Sequence, residues 1–256
     1  MKKTYTHAIV RPPGESYAQA ISSAGHTPDV QLARLQHIKY CQALADAGVT
    51  LEHLPPDERY PDSCFVQDTA LVIAGMVIIA RPGANSRRGE EQSIAELLAE
   101  RFPISHITAP GTLEFGDVMV LDDRILVGET QRTNADGIQQ LKSILTPHNI
   151  PVSSIPVQDY LHLLSAATYL GNNTLLATGK FAEHPAFAGM QVINVPTEEA
   201  YAANALGVGR HVILPAGFPR VAEAVRSRDF QVLPVDLSQF ELADGGATCL
   251  SIIWQS

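Results

Sequence analysis

The chain has 256 residues, 45% hydrophobic and 18% charged, which is enough apolar material for a sizeable core and too few charges for a disordered chain. A formal net charge of −9 with no basic run excludes a nucleic-acid partner gripped by its phosphates and points to small cationic ligands. Apolar runs fall short of the roughly 20 residues of a membrane span, the start MKKTYTHAIV has no secretory apolar region, and Cys41, Cys64 and Cys249 form no CxxC pair, so a cytoplasmic protein with reduced thiols is expected.

In chain order, the first expected strand is 7–11. Asp29 then caps a helix running to Ala47, in which Leu32, Leu35, Ile38, Cys41 and Leu44 recur at helical spacing before Gly48 stops it. A strand at 50–54 follows. Next come strands 69–74 and 76–81 turning at Gly75, a helix at 90–101 and a strand at 104–108. The same order returns with strands 118–121 and 124–128 around Asp122-Asp123, a helix at 134–145 with Leu141, Ile144 and Leu145 on one face, and a strand at 152–155. A third unit has strands 166–170 and 174–178, a less regular helical part near 185–188, and a strand at 191–195. A fourth has strands 203–206 and 211–214, a helix at 220–228 and a strand at 230–235. Strand 248–254 joins the opening elements to make a fifth unit shared between the two ends. Five ββαβ units closed by both termini leave no free edge, and no linker or low-complexity tract divides them. The expected fold is therefore a five-bladed α/β propeller in a single domain spanning 1–256.

A ring places the residues just before each unit's first strand near the central axis, and these positions are polar. They are PDSCFVQD at 61–68, LEFGD at 113–117, LHL at 161–163 and DGGATC at 244–249. A thiol, an imidazole and several carboxylates converging on one channel suit nucleophilic catalysis. Each also has a plainer reading. A lone cysteine is more often core than nucleophile, as expected for Cys41 on its helix face; His162 among leucines fits a hydrogen-bonded core histidine; Glu114, Arg87 and Arg132 alone would read as surface charges. What lifts Cys249 is the low-bulk approach Asp-Gly-Gly-Ala-Thr, which lets backbone come close to a ligand.

The segments THAIVRPPGES, LPPDERYPDSCFVQD, RPGANSRRGE, APGTLEFGD, VGETQRTNADG, LHLLSAATYL, YAANAL, VILPAGFPR and DGGATCLSIIW span nearly the whole chain. In this order they resemble the dimethylarginine dimethylaminohydrolases, guanidino-group-modifying enzymes built as five-bladed α/β propellers. The resemblance implies Cys249 as nucleophile, His162 as general acid and base, and Glu114 as the residue orienting the histidine. It further implies that Arg87 and Arg132 hold the substrate carboxylate, and that Asp62 and Asp68 bind cationic groups with Phe65 packing nearby. Ile21 and Ala243 align with positions that touch substrate. Gln67 stands in the substrate-binding set where the family commonly carries glutamate, and Cys64 stands where a small apolar residue is usual.

The reaction so implied is hydrolysis of methylated arginine to citrulline through a covalent thiouronium, with no metal or cofactor, a small molecule as partner, and a homodimer as the assembly allowed for. Arginine deiminases share the implied fold and triad, but their histidine is typically followed by Leu-Asp, where this chain has Leu163-Leu164. A silent methylarginine-binding module would need a defective triad. A papain-like protease is excluded by chain order, since its nucleophile precedes its histidine.

Overall fold

The computed structural model describes residues 5–255, so the first four residues of the MKKTYTHAIV start lie outside it. Its elements in chain order are β1 (His7–Val10), α1 (Val30–Asp46), β2 (Thr50–His53), β3 (Ala70–Ile73), β4 (Met76–Ile79), α2 (Glu90–Ala99), β5 (Ile104–His106), β6 (Val118–Val120), β7 (Ile125–Glu129), α3 (Ala135–Leu145) and β8 (Val152–Pro156). They continue with α4 (Leu163–Ala166), β9 (Ala167–Gly171), β10 (Thr174–Thr178), β11 (Gln191–Val195), β12 (Leu206–Val208), β13 (His211–Pro215), α5 (Pro219–Arg226), β14 (Gln231–Val235), α6 (Ser238–Glu241) and β15 (Ser251–Trp254).

The strands form five three-stranded sheets, β15-β1-β2, β3-β4-β5, β6-β7-β8, β9-β10-β11 and β12-β13-β14. In each, the middle strand runs antiparallel to the inner strand and parallel to the outer one. The first blade combines the C-terminal β15 with the N-terminal β1, pairing His7 with Trp254 and Val10 with Ser251. The five inner strands β15, β3, β6, β9 and β12 all line one axial cavity, so the blades form a closed ring.

Burial explains why the middle strands read as unbroken apolar runs. A strand with a blade on each side buries both faces, so alternate side chains enter opposite junctions. Val77 and Ile79 of β4 pack in the cluster with Ile94 and Leu98 of α2, whereas Ile78 between them packs with Leu141 and Leu145 of α3. Likewise, Ile9 of β1 joins the α2 cluster while Ala8 and Val10 join that of Tyr40 and Leu44 on α1. The core is thus five clusters set between neighbouring blades. Ile78 is fully buried, and Ile78→Ala should destabilise the protein by about 2–5 kcal/mol, read as a lower denaturant midpoint with unchanged slope; a change within 0.5 kcal/mol would contradict this junction packing.

Two helices begin as their caps dictate. Asp29 accepts hydrogen bonds from Gln31 N and Leu32 N, and Asn134 accepts one from Gly137 N. The less regular helical part expected near 185–188 is a pair of 3-10 turns, Gly179–Glu183 and Pro185–Phe187, whose Phe181 and Phe187 fill the junction. Two expected elements differ. The fourth unit's first strand is Leu206–Val208 and not 203–206, since Thr197–Ala203 is a 3-10 run whose buried Ala202 and Ala203 mimic strand burial. The last strand starts at Ser251, leaving Thr248 and Cys249 in the turn before it.

On α1 the apolar face also differs. Cys41 and Leu44 are buried with Ala33, Gln36, His37, Tyr40 and Ala43, while Leu32, Leu35 and Ile38 are 38%, 60% and 59% exposed. The buried face exchanges apolar bulk for bonds: Gln36 Nε2 donates to Ser238 Oγ of α6, and the Tyr40 hydroxyl shares a hydrogen bond with Ser251 Oγ of β15. Among the described residues no helix is long and apolar enough to cross a membrane.

Candidate active site

The segments ahead of the inner strands share a local design. Val66–Thr69 precedes β3 as a 3-10 turn, Phe115–Asp117 precedes β6, and α4 precedes β9. Glu114 and His162 are the extended residues heading the latter two turns, which places their side chains over the axis from adjacent blades. Cys249 lies in the turn before β15 and its carbonyl accepts a hydrogen bond from Gln67 N, tying that turn to the 3-10 turn before β3.

These segments enclose a small pocket lined by Ile21, Asp62, Phe65, Asp68, Arg87, Arg132, Leu161, His162, Ala243 and Cys249 among others. All the expected site residues except Glu114 and Gln67 therefore face one cavity. Glu114 lies directly behind it, fully buried, with Oε2 2.7 Å from His162 Nε2. Ala84 N donates to Glu114 Oε1 at 3.1 Å and Arg132 Nη1 lies 3.4 Å from the same oxygen. Burial alone would raise the Glu114 pKa, but the His162 hydrogen bond, the His162 charge and the two arginines hold it well below the ordinary carboxylate range. Burial alone would lower His162, and the carboxylates of Asp68, Asp117 and Glu114 overcome it, so the ring is held above its ordinary value and starts as imidazolium.

Arg87 is the most engaged cation. Its Nε and Nη2 bind the Glu90 carboxylate, Nη1 reaches Asp68 Oδ2 at 2.6 Å, and Nη2 donates to Phe65 O. Its side chain is 5% exposed against 15% for Arg132, so Arg132 presents the freer guanidinium. Asp68 Oδ1 also accepts from Gly116 N at 2.9 Å. Gly116 must be glycine, because a Cβ there would sit 2.6 Å from Asp68 Oδ1 and 2.8 Å from His162 Nδ1. Asp62 Oδ1 accepts from Ile21 N, and Asp244 accepts from both N and Oγ of Ser23, so residues 21–23 are strapped across the pocket.

Asp68, Glu114 and His162 offer ligand atoms within 4.8 Å of one another. The set does not suit a metal ion: Asp68 is paired with Arg87, Glu114 with His162, and two guanidiniums flank them. Cys249 is buried, and burial followed by the Asp68 charge pushes its thiol up to about 11, opposed first by the hydrogen bond from Gly246 N. The pocket therefore favours the thiol over the thiolate.

Gln67 faces elsewhere. Its Nε2 donates to Phe115 O at 2.6 Å, its Oε1 is buried without a partner, and it lines the axial cavity with Leu164, Thr168, Thr248 and Ser251. Cys64 is fully buried in the α1 junction, with burial holding its thiol well above the ordinary range. Three residues outside the expected set complete the site. Glu90 pairs with Arg87; Asp117 accepts from Leu163 N and Thr130 Oγ1 beneath His162; Asn204 lies 3.8 Å from Cys249 Sγ. Glu90 and Asp117 carried a signal, since they are the last residues of the motifs NSRRGE and LEFGD.

A family model described as N,N dimethylarginine dimethylhydrolase, eukaryotic, matches residues 16–252. The chain is 41% identical over 251 residues to the N(G),N(G)-dimethylarginine dimethylaminohydrolase of Pseudomonas aeruginosa, covering 97% of this chain and 99% of that one. The Streptomyces coelicolor protein of the same name is 34% identical, covering 96% and 95%. Among solved structures, the Pseudomonas aeruginosa C249S mutant complexed with citrulline superposes with a TM-score of 0.96 at 40% identity, covering 98% of this chain and 100% of that one. An arginine dihydrolase domain from cyanobacteria, 20% identical with a TM-score of 0.89, shares the fold. The closed ring of five blades, the pocket above its axis and these matches along almost the full length make the chain a member of the dimethylarginine dimethylaminohydrolase family.

Proposed function

We propose that this protein hydrolyses N-ω-methylated arginines to citrulline and methylamine or dimethylamine, with Cys249 as nucleophile. The observation that carries the reading is the buried His162–Glu114 pair at 2.7 Å beside a pocket that also holds Cys249, three carboxylates and two guanidiniums. Family membership and the relatives that act on dimethylarginine supply the substrate class.

The amino acid end of the substrate lies against Asp62 and the arginines, with Arg132 as the more available carboxylate clamp. The guanidinium sits by Asp68 above Cys249. Its positive charge offsets the burial and the Asp68 charge that disfavour the thiolate, so binding turns the nucleophile on, with the thiol proton released to solvent because His162 already carries one. The thiolate adds to the guanidinium carbon, forming the C–S bond. The His162 imidazolium then protonates the methylated nitrogen, the C–N bond breaks, and the amine leaves. The neutral imidazole takes one proton from water as its oxygen attacks the thiouronium carbon; the C–S bond then breaks and the remaining hydroxyl proton is lost to solvent, releasing citrulline and the thiolate. Glu114 keeps the ring oriented and stabilises its charged form.

Cys249 alkylation by iodoacetamide, followed by mass spectrometry of its peptide, tests substrate activation. At pH 7.5 the free protein should react slowly, because the thiol is pushed up, and its rate should climb with pH through the alkaline range. An arginine analogue that carries the cation but leaves the sulfur reachable should raise the neutral-pH rate at least tenfold. Fast alkylation of the free protein, unchanged by the cation, would contradict the switch.

A further inference from the structure

Four of the five segments that precede inner strands carry the ionisable or nucleophilic groups of the site; the one before β12 carries Asn204. This residue is 4% exposed and its backbone N donates to Tyr201 O, so it is fixed at the end of the 3-10 run 197–203. Its side chain is fixed as well. Asn204 Oδ1 accepts from Thr248 N at 2.9 Å and from Thr248 Oγ1 at 3.0 Å, which turns Nδ2 toward Cys249 Sγ at 3.8 Å.

The sulfur has two further polar neighbours, Gly246 N at 3.3 Å and Thr248 Oγ1 at 3.9 Å. A hydroxyl has one proton, and that of Thr248 is committed to Asn204 Oδ1. The donors left to face a thiolate are the Gly246 amide and the Asn204 amide. Gly246 must be glycine for this contact, since a Cβ there would lie 2.4 Å from Asn204 Cγ. Both donors are neutral, so they favour the anion of sulfur without repelling the substrate cation, as an arginine or lysine in the same place would.

Building on the assignment of Cys249 as nucleophile, we propose that Asn204 is a catalytic residue of this site: its Nδ2–H bonds the Cys249 thiolate, favouring it before attack and again when the thiouronium expels it. Thr248 is then a positioning residue that acts by orienting the Asn204 amide. Burial and the nearby Asp68 carboxylate both disfavour the thiolate, so removing one of two donors has a direct effect on thiol ionisation.

The test uses Asn204→Ala and Asn204→Leu, with Cys249 alkylation by iodoacetamide followed from pH 7 to 10.5 by mass spectrometry of the Cys249 peptide. Both changes remove the donor toward sulfur without placing a charge beside it, and leucine keeps the volume of the side chain. Both variants should show the pH profile displaced upward by about one unit, an approximately tenfold lower rate at fixed pH. If Asn204→Ala does not fold, Asn204→Leu decides alone. A wild-type profile in the folded variant would overturn the inference and leave Cys249 as nucleophile, because a purely structural asparagine would alter stability and not thiol ionisation. Failure of wild-type Cys249 to react at any pH would overturn the nucleophile assignment and the inference together.

Discussion

His162→Asn should lower kcat for methylated arginine by roughly 10²- to 10⁴-fold, the range typical for loss of a positioned acid and base. The ring is the proton carrier closest to the fully buried Glu114, at 2.7 Å, and three carboxylates hold it protonated at the start of the cycle. Asparagine can keep the hydrogen bond to Glu114 Oε2 but carries no labile proton. Substrate should still bind, so KM should change far less than kcat, and alkylation of Cys249 should persist. Rapid-quench kinetics with product quantification would read the effect; a kcat within tenfold of wild type would remove His162 from the proton transfers.

Arg87→Ala should be among the most destabilising single changes in the chain, costing about 3–5 kcal/mol, the range for breaking a buried ion pair on one side. Its guanidinium pairs Asp68 and Glu90 and binds Phe65 O, and all three lose that partner at once. Burial already raises Glu90 to about 7 against the attraction of Arg87. Without the arginine Glu90 is held still further above its unfolded value, so its protonation relieves the penalty. The unfolded chain titrates alike in both proteins, so the share of the deficit that comes from Glu90 should be absent below its wild-type folded value of about 7 and grow as pH rises above it. Arg87→Lys should recover part of the loss, since one ammonium cannot reproduce the fork that engages Glu90 and Asp68 together. Urea unfolding at several pH values measures this, and a pH-independent deficit below 1 kcal/mol would contradict the buried network.

The fold was legible because a ring of blades writes itself as a repeated order of elements, and because middle strands buried on both faces leave unbroken runs such as Val77-Ile78-Ile79 and Val212-Ile213-Leu214. Cys249, His162 and Glu114 were legible as polar residues just ahead of inner strands. Asn204 was not, for a definite reason. Buried Ala202 and Ala203 look like strand residues, so reading the strand from 203 absorbed Asn204 into it, whereas the chain coils through 203 and starts β12 at Leu206. The apolar spacing of α1 misled in another way. Leu32, Leu35 and Ile38 share the helical period with Cys41, yet the helix buries the side that offers Gln36 and Tyr40 as hydrogen-bond partners. Gln67 could not be placed from sequence, because a turn of the 3-10 segment decides whether its amide meets the pocket or the axial cavity.

The central claim is tested most directly by incubating the purified protein separately with asymmetric dimethylarginine, monomethylarginine and arginine, quantifying citrulline, and repeating the set with Cys249→Ser. Citrulline is expected from the methylated substrates, little from arginine, and none above background in the Cys249→Ser variant. Citrulline mainly from arginine, or undiminished turnover in the serine variant, would contradict it.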